Sequence, residues 1–83
     1  MAMIEEMRGI LDETLQLAGR SQAFDQSTPL LGSLPELDSV AVVTLLTVIE
    51  ERFGIFIEDD EISAETFATL GALCDFVDAK IAA

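Results

Sequence analysis

The chain has 83 residues, 51% of them hydrophobic, with sixteen acidic side chains against four basic ones and a net charge of −12. That hydrophobic share supports a single small domain over residues 1–83, burying ~60–65% of its unfolded-chain surface, and sets aside intrinsic disorder. The charge sets aside nucleic acid and anionic membranes as partners and favours proteins with basic surfaces, met through electrostatic steering. Thr, Glu and Asp interrupt the apolar runs before they reach spanning length, so no membrane insertion is expected. The acidic start, Met1 to Arg8, lacks a signal-peptide core, and the lone Cys74 cannot form an internal disulfide; the expectation is a cytoplasmic monomer.

In chain order, Ile4, Met7, Leu11, Leu15 and Ala18 recur at helical spacing, with Gly19 as a stop. The stretch from Arg20 to Asp38 has no clear periodicity, which is uncommon in a compact domain. Its apolar residues Phe24, Leu30, Leu31, Leu34 and Leu37 predict an ordered loop packed across the bundle, stiffened at Pro29 and Pro35. A second helix is predicted from Ser39 to Phe53, with Val42, Leu45, Leu46, Ile49 and Phe53 on its inner stripe and Gly54 beyond. "GIFI" (54–57) reads as extended loop without a partner strand. "SAETF" supplies a short third helix starting at Ser63. A final helix runs from Leu70 to Ile81, capped by Thr69, with Leu70, Leu73, Cys74, Val77 and Ile81 facing inward. The sum is an all-α four-helix bundle of three longer helices and one short third helix, with a long first loop delivering the chain to Ser39.

Catalysis is judged by what is missing. The chain has no His and no Tyr, and its only Lys is Lys80, so Ser39 and Cys74 lack a base and no catalytic residue is assigned. Cys74 sits on the apolar stripe of the last helix and reads as a buried structural thiol. The acidic run "EDDE" (58–61) fails as a calcium loop: counted from Asp59, the position that requires glycine is Ala64 and the bidentate-acid position is Leu70. No metal site is assigned, although nine of the sixteen acids fall between Glu36 and Glu65. Asp38 and Ser39 have two readings. Either one of them caps the second helix, or Ser39 displays its hydroxyl at a helix N-terminus, where free N–H groups and the positive dipole end favour a phosphate ester.

The stretch "TPLLGSLPELDSVAVVTLLTVIEERFGIFIEDDEI" resembles acyl carrier proteins, with Asp38-Ser39-Val40 in the place of the Asp-Ser-Leu motif that receives 4′-phosphopantetheine. The resemblance extends over nearly the whole chain. It implies that a phosphopantetheinyl transferase of the holo-carrier synthase type uses coenzyme A and Mg²⁺ to place the arm on Ser39. The terminal thiol of the arm then holds acyl groups as thioesters and presents them to successive enzymes. Asp38 is implied to fix the turn and engage the transferase, and the second helix to face partners through Val40, Val43, Thr44, Thr47, Glu50 and Glu51. Fatty-acid carriers place acids on the early turns of this helix, whereas here Ala41, Thr44 and Thr47 stand there. Val40 and Val43 either pack against the first loop or form a mild apolar patch. The departure implies a dedicated carrier in a specialised lipid, polyketide or polysaccharide-associated pathway, loaded by an acyl-activating ligase or acyltransferase. "LLGSLPELDSVAVV" is similar to small carriers found beside such ligases in exopolysaccharide clusters. A peptidyl or aminoacyl carrier and an unmodified acidic adaptor are the alternatives. Leu45, Leu46, Ile49, Phe53, Ile62, Phe67 and Leu73 are the candidate lining for a sheltered acyl chain, and equally an ordinary core.

Overall fold

A computed structural model describes residues 3–82. Three α-helices carry the fold: α1 (Met3–Leu15), α2 (Ser39–Phe53) and α3 (Leu70–Ala82). α1 packs against both α2 and α3. Its inner stripe of Met7, Ile10, Leu11 and Leu15 is buried in one cluster with Leu45 and Ile49 of α2 and Leu70, Leu73, Cys74 and Val77 of α3. The amphipathic spacing thus produces the helices, and burial of their apolar faces holds them.

Among the described residues the expected four helices are three. The "SAETF" segment is a single 3₁₀ turn, Ala64–Phe67, closed by the Ser63 N–H donating to Thr66 Oγ1 at 3.2 Å and the Thr66 N–H donating to Ser63 O at 3.1 Å. Four residues cannot repay helix nucleation, and the turn persists because Thr66 and Phe67 are buried. Two more 3₁₀ turns lie at Arg20–Ala23 and Asp59–Glu61.

α1 also stops earlier than its apolar spacing predicts. Gln16 takes the left-handed conformation (φ 55°), and the Leu17 N–H bonds back to Asp12 O at 3.1 Å. This is the closing bond of a Schellman cap, built here without glycine. Ala18 is exposed, while Leu17 turns back into the core. α2 ends the same way with glycine: Gly54 is left-handed (φ 66°), and the Ile55 N–H reaches Glu50 O at 3.2 Å. On α3, Ile81 is exposed rather than inward.

The first loop is ordered, as its apolar content predicts. Leu30 and Leu37 are buried, Phe24 and Leu34 pack partly against the core, and Leu31 is exposed. An isolated antiparallel bridge joins Pro29 to Thr69. Around it, the N–H groups of Leu30 and Leu31 donate to Ala68 O and Phe67 O, and those of Leu70 and Gly71 donate to Thr28 O and Gln26 O, at 2.9–3.1 Å. A β-carbon on Gly71 would sit 2.9 Å from Gln26 O, so only glycine lets the loop come this close. Arg20 pairs with Glu36 and links the start of the loop to its end. No described helix is long and apolar enough to cross a membrane.

Candidate functional site

The loop ends by anchoring Leu37 in the core, and the next two residues emerge into solvent. Asp38 is the N-cap of α2. Its backbone is extended (φ −105°, ψ −174°), and its Oδ1 accepts the Ala41 N–H at 2.8 Å. The cap is therefore Asp38, and Ser39 is the first helical residue. Capping occupies the carboxylate and leaves the Ser39 hydroxyl exposed, without a hydrogen-bond partner among the described residues. The N–H groups of Ser39 and Val40 likewise have no acceptor there. An exposed hydroxyl beside free donors at the positive end of a 15-residue helix suits a phosphodiester on Ser39 Oγ. The chain has no His or Tyr to activate that hydroxyl.

Below Ser39, α2 presents an outward stripe. Val40 is 74% exposed and Val43 64%, so neither packs against the loop. Thr44 and Thr47 are exposed too, and their hydroxyls donate to Val40 O and Val43 O, both at 3.1 Å. With those hydroxyls turned back onto the helix, the stripe offers methyl groups and few free polar atoms. That back-bonding was available from the sequence as Thr four residues after each Val.

The two predicted acids part company. Glu51 is exposed, whereas Glu50 is half-buried and its Oε2 accepts the Ile57 N–H at 2.7 Å. Glu50 therefore fastens the connector after α2 and is only partly available to a partner. Phe56, 70% exposed between half-buried Ile55 and buried Ile57, is an outward aromatic that no motif in the sequence marks. The in-out alternation of an extended segment was its signal.

The acidic connector is tied down rather than free. Lys80 Nζ donates to both Glu61 oxygens, at 2.7 and 2.9 Å. The Lys80 ammonium, followed by the Glu58 N–H, lowers the Glu61 pKa. Its own backbone N–H, followed by Arg20, lowers that of Glu36. Among the described residues no group of three acids, Cys or His could hold a metal ion. Cys74 is buried, and burial together with Asp78 and Asp75 pushes its thiol up to about 11. It is an inert core residue at neutral pH.

A family model described as "Phosphopantetheine attachment site" matches residues 5–77. The solution structure of a holo acyl carrier protein from Nitrosomonas europaea is 47% identical, with both chains covered completely and a TM-score of 0.92. A chain from a second structure is 30% identical, with 93% of this chain and 97% of that one covered and a TM-score of 0.77. That structure holds an engineered Bradyrhizobium japonicum glycine:[carrier protein] ligase with a carrier protein from Agrobacterium tumefaciens and ATP. No curated protein matches.

Proposed function

The chain belongs to the phosphopantetheine-attachment family of acyl carrier proteins, which carry a covalent 4′-phosphopantetheine and do not themselves catalyse, and on that premise we propose that Ser39 is the attachment residue. The observation that carries this assignment is the division of labour at the start of α2. Asp38 takes the capping bond to Ala41, so the Ser39 hydroxyl stays free and exposed beside unpartnered N–H groups. When bound, the arm supplies a terminal thiol that holds cargo as a thioester. The chain's own residues position and present it: Leu37 anchors the approach, Asp38 sets the turn, and the helix end balances the phosphodiester charge.

Partner choice rests on the methyl stripe of Val40, Val43, Thr44 and Thr47, with Glu51 and the acidic connector steering basic surfaces toward it. This combination supports a dedicated carrier for one loading ligase or acyltransferase, in a specialised lipid, polyketide or polysaccharide-associated pathway. Aminoacyl cargo is the second reading, favoured by the 30% likeness to a structure of a glycine:[carrier protein] ligase with its carrier.

The test is intact mass after incubation with coenzyme A, Mg²⁺ and a broad-specificity phosphopantetheinyl transferase. Wild type gains one phosphopantetheine and Ser39→Ala gains none. A gain in folded Ser39→Ala would remove Ser39 from the role, and no gain in either with several transferases would favour the unmodified adaptor.

A further inference from the structure

The loop that delivers Ser39 is fastened in its middle to α3 by the Pro29–Thr69 bridge. Past Leu31 it leaves that bridge and runs on to Asp38. Among the described residues this last stretch makes one side-chain tie: Glu36 Oε2 accepts from Arg20 Nη2, sixteen residues back. Arg20 is itself fixed. Its backbone N–H and its Nε both donate to Leu17 O, at 3.1 and 3.2 Å, and Leu17 is buried in the core. The guanidinium fork thus serves two acceptors at once and joins the chain just past α1 to the residue before buried Leu37. Asp38 and Ser39 follow directly, and the Asp38 N–H donates back to Glu36 O at 3.2 Å.

Stability does not account for this pair. The Arg20 side chain is 55% exposed and that of Glu36 33%, and ion pairs so open to water add little to folding. Glu36 Oε1 is also buried without a hydrogen-bond partner among the described residues, a penalty that an apolar side chain would avoid. What the pair supplies is register, since it holds the backbone three residues before the serine against a fixed point of the core.

We propose that Arg20 and Glu36 are positioning residues for the loading of Ser39, holding the Asp38 cap and the serine hydroxyl beyond it in the orientation that the transferase requires. In that transfer Ser39 Oγ forms a bond to the phosphorus that carries pantetheine. The bond from this phosphorus to the bridging oxygen of coenzyme A breaks, adenosine 3′,5′-bisphosphate leaves, and the hydroxyl proton passes to the transferase. Displacement at phosphorus needs the attacking and leaving oxygens roughly in line, so the direction of approach of Ser39 governs the rate. With the pair broken, the stretch before Ser39 samples more orientations and only a fraction is competent, which raises the apparent KM. The inference rests on Ser39 being the attachment residue.

The experiment measures rates of modification of the full chain by a broad-specificity transferase with coenzyme A and Mg²⁺. Intact mass is the readout, at a temperature where each protein gives a native far-UV spectrum. A wild type that gains no more phosphopantetheine than Ser39→Ala overturns the attachment reading, and this inference with it. Otherwise Arg20→Ala and Glu36→Ala should each lower kcat/KM about three- to tenfold, chiefly through KM, and the double variant should fall no further than either single. The two singles move the net charge in opposite directions, so a shared loss does not come from steering. Glu36→Ala leaves the hold of Arg20 on Leu17 in place, so it tests the pair even where Arg20→Ala does not fold. Lys80→Ala breaks the Lys80–Glu61 pair with the same change in net charge as Arg20→Ala, outside this loop, and should be modified at the wild-type rate. A wild-type rate in either single, additive losses in the double, or an equal loss in Lys80→Ala would overturn the inference while leaving Ser39 as the attachment residue.

Discussion

The starts of α2 and α3 follow one rule with opposite outcomes. Each helix is opened by an oxygen side chain bonded to the N–H three residues on: Asp38 to Ala41 at 2.8 Å, Thr69 to Ala72 at 3.1 Å. After Thr69 the chain goes inward, since Leu70 is fully buried and its N–H is spent on Thr28 O. After Asp38 it goes outward, and Ser39 keeps both its hydroxyl and its N–H free. Capping chemistry is therefore no mark of function. What distinguishes the α2 start is that the described chain around it leaves its first N–H donors and the Ser39 hydroxyl unclaimed, whereas the first loop claims the N–H groups of Leu70 and Gly71 in α3.

The contrast can be broken at α3 first. Gly71→Ala forces a methyl group onto Gln26 O and should cost about 1–3 kcal/mol, read as a lower urea midpoint. Ser39 should still be modified wherever the variant is folded, because the strain lies in the bridge rather than at the cap. A stability equal to wild type would mean that the loop shifts freely and that its bridge to α3 is loose.

Exchanging the caps sharpens the comparison. Asp38→Ala and Thr69→Ala should each lose about 1 kcal/mol. Only Asp38→Ala should also slow modification, because only its cap orients Ser39. Asp38→Asn, which keeps a capping oxygen, should recover most of the stability. A Thr69→Ala variant that slows modification as strongly would erase the distinction between the two ends.

The smallest effect concerns Cys74, one turn further along α3. Its folded pKa of about 11 stands above the ordinary value of 9.0. The stability tied to the neutral thiol is therefore complete below pH 9 and declines as pH rises toward 11. The midpoint difference between wild type and Cys74→Ala should shrink over that window. A constant difference from pH 8 to 11 would mean that the thiol does not ionise against its surroundings.

Much of this was legible from residue order. Gly54 and Thr69 bracket their helices where local capping rules place them, since those signals need only neighbours in sequence. The end of α1 was not legible: the apolar spacing ran on to Ala18, and Leu17 is indeed buried, but it is reached after the chain leaves the helix at Gln16. The short third helix expected at Ser63 is a 3₁₀ turn, since a Ser at that position starts a turn as readily as a helix. At the site, Asp38-Ser39 was visible, but which residue caps depends on backbone geometry. Glu50 looked like a partner contact because its bond to Ile57 crosses a chain reversal that helical spacing does not reveal.

The most direct test of the central claim is the position of the arm. Trypsin should release residues 21–52 as one peptide containing Ser21, Ser27, Ser33 and Ser39. Fragmentation of that peptide from transferase-treated wild type should place the phosphopantetheine mass on Ser39 alone. Its appearance on any of the other three serines would contradict the account, because none of them begins a helix whose cap leaves a free hydroxyl.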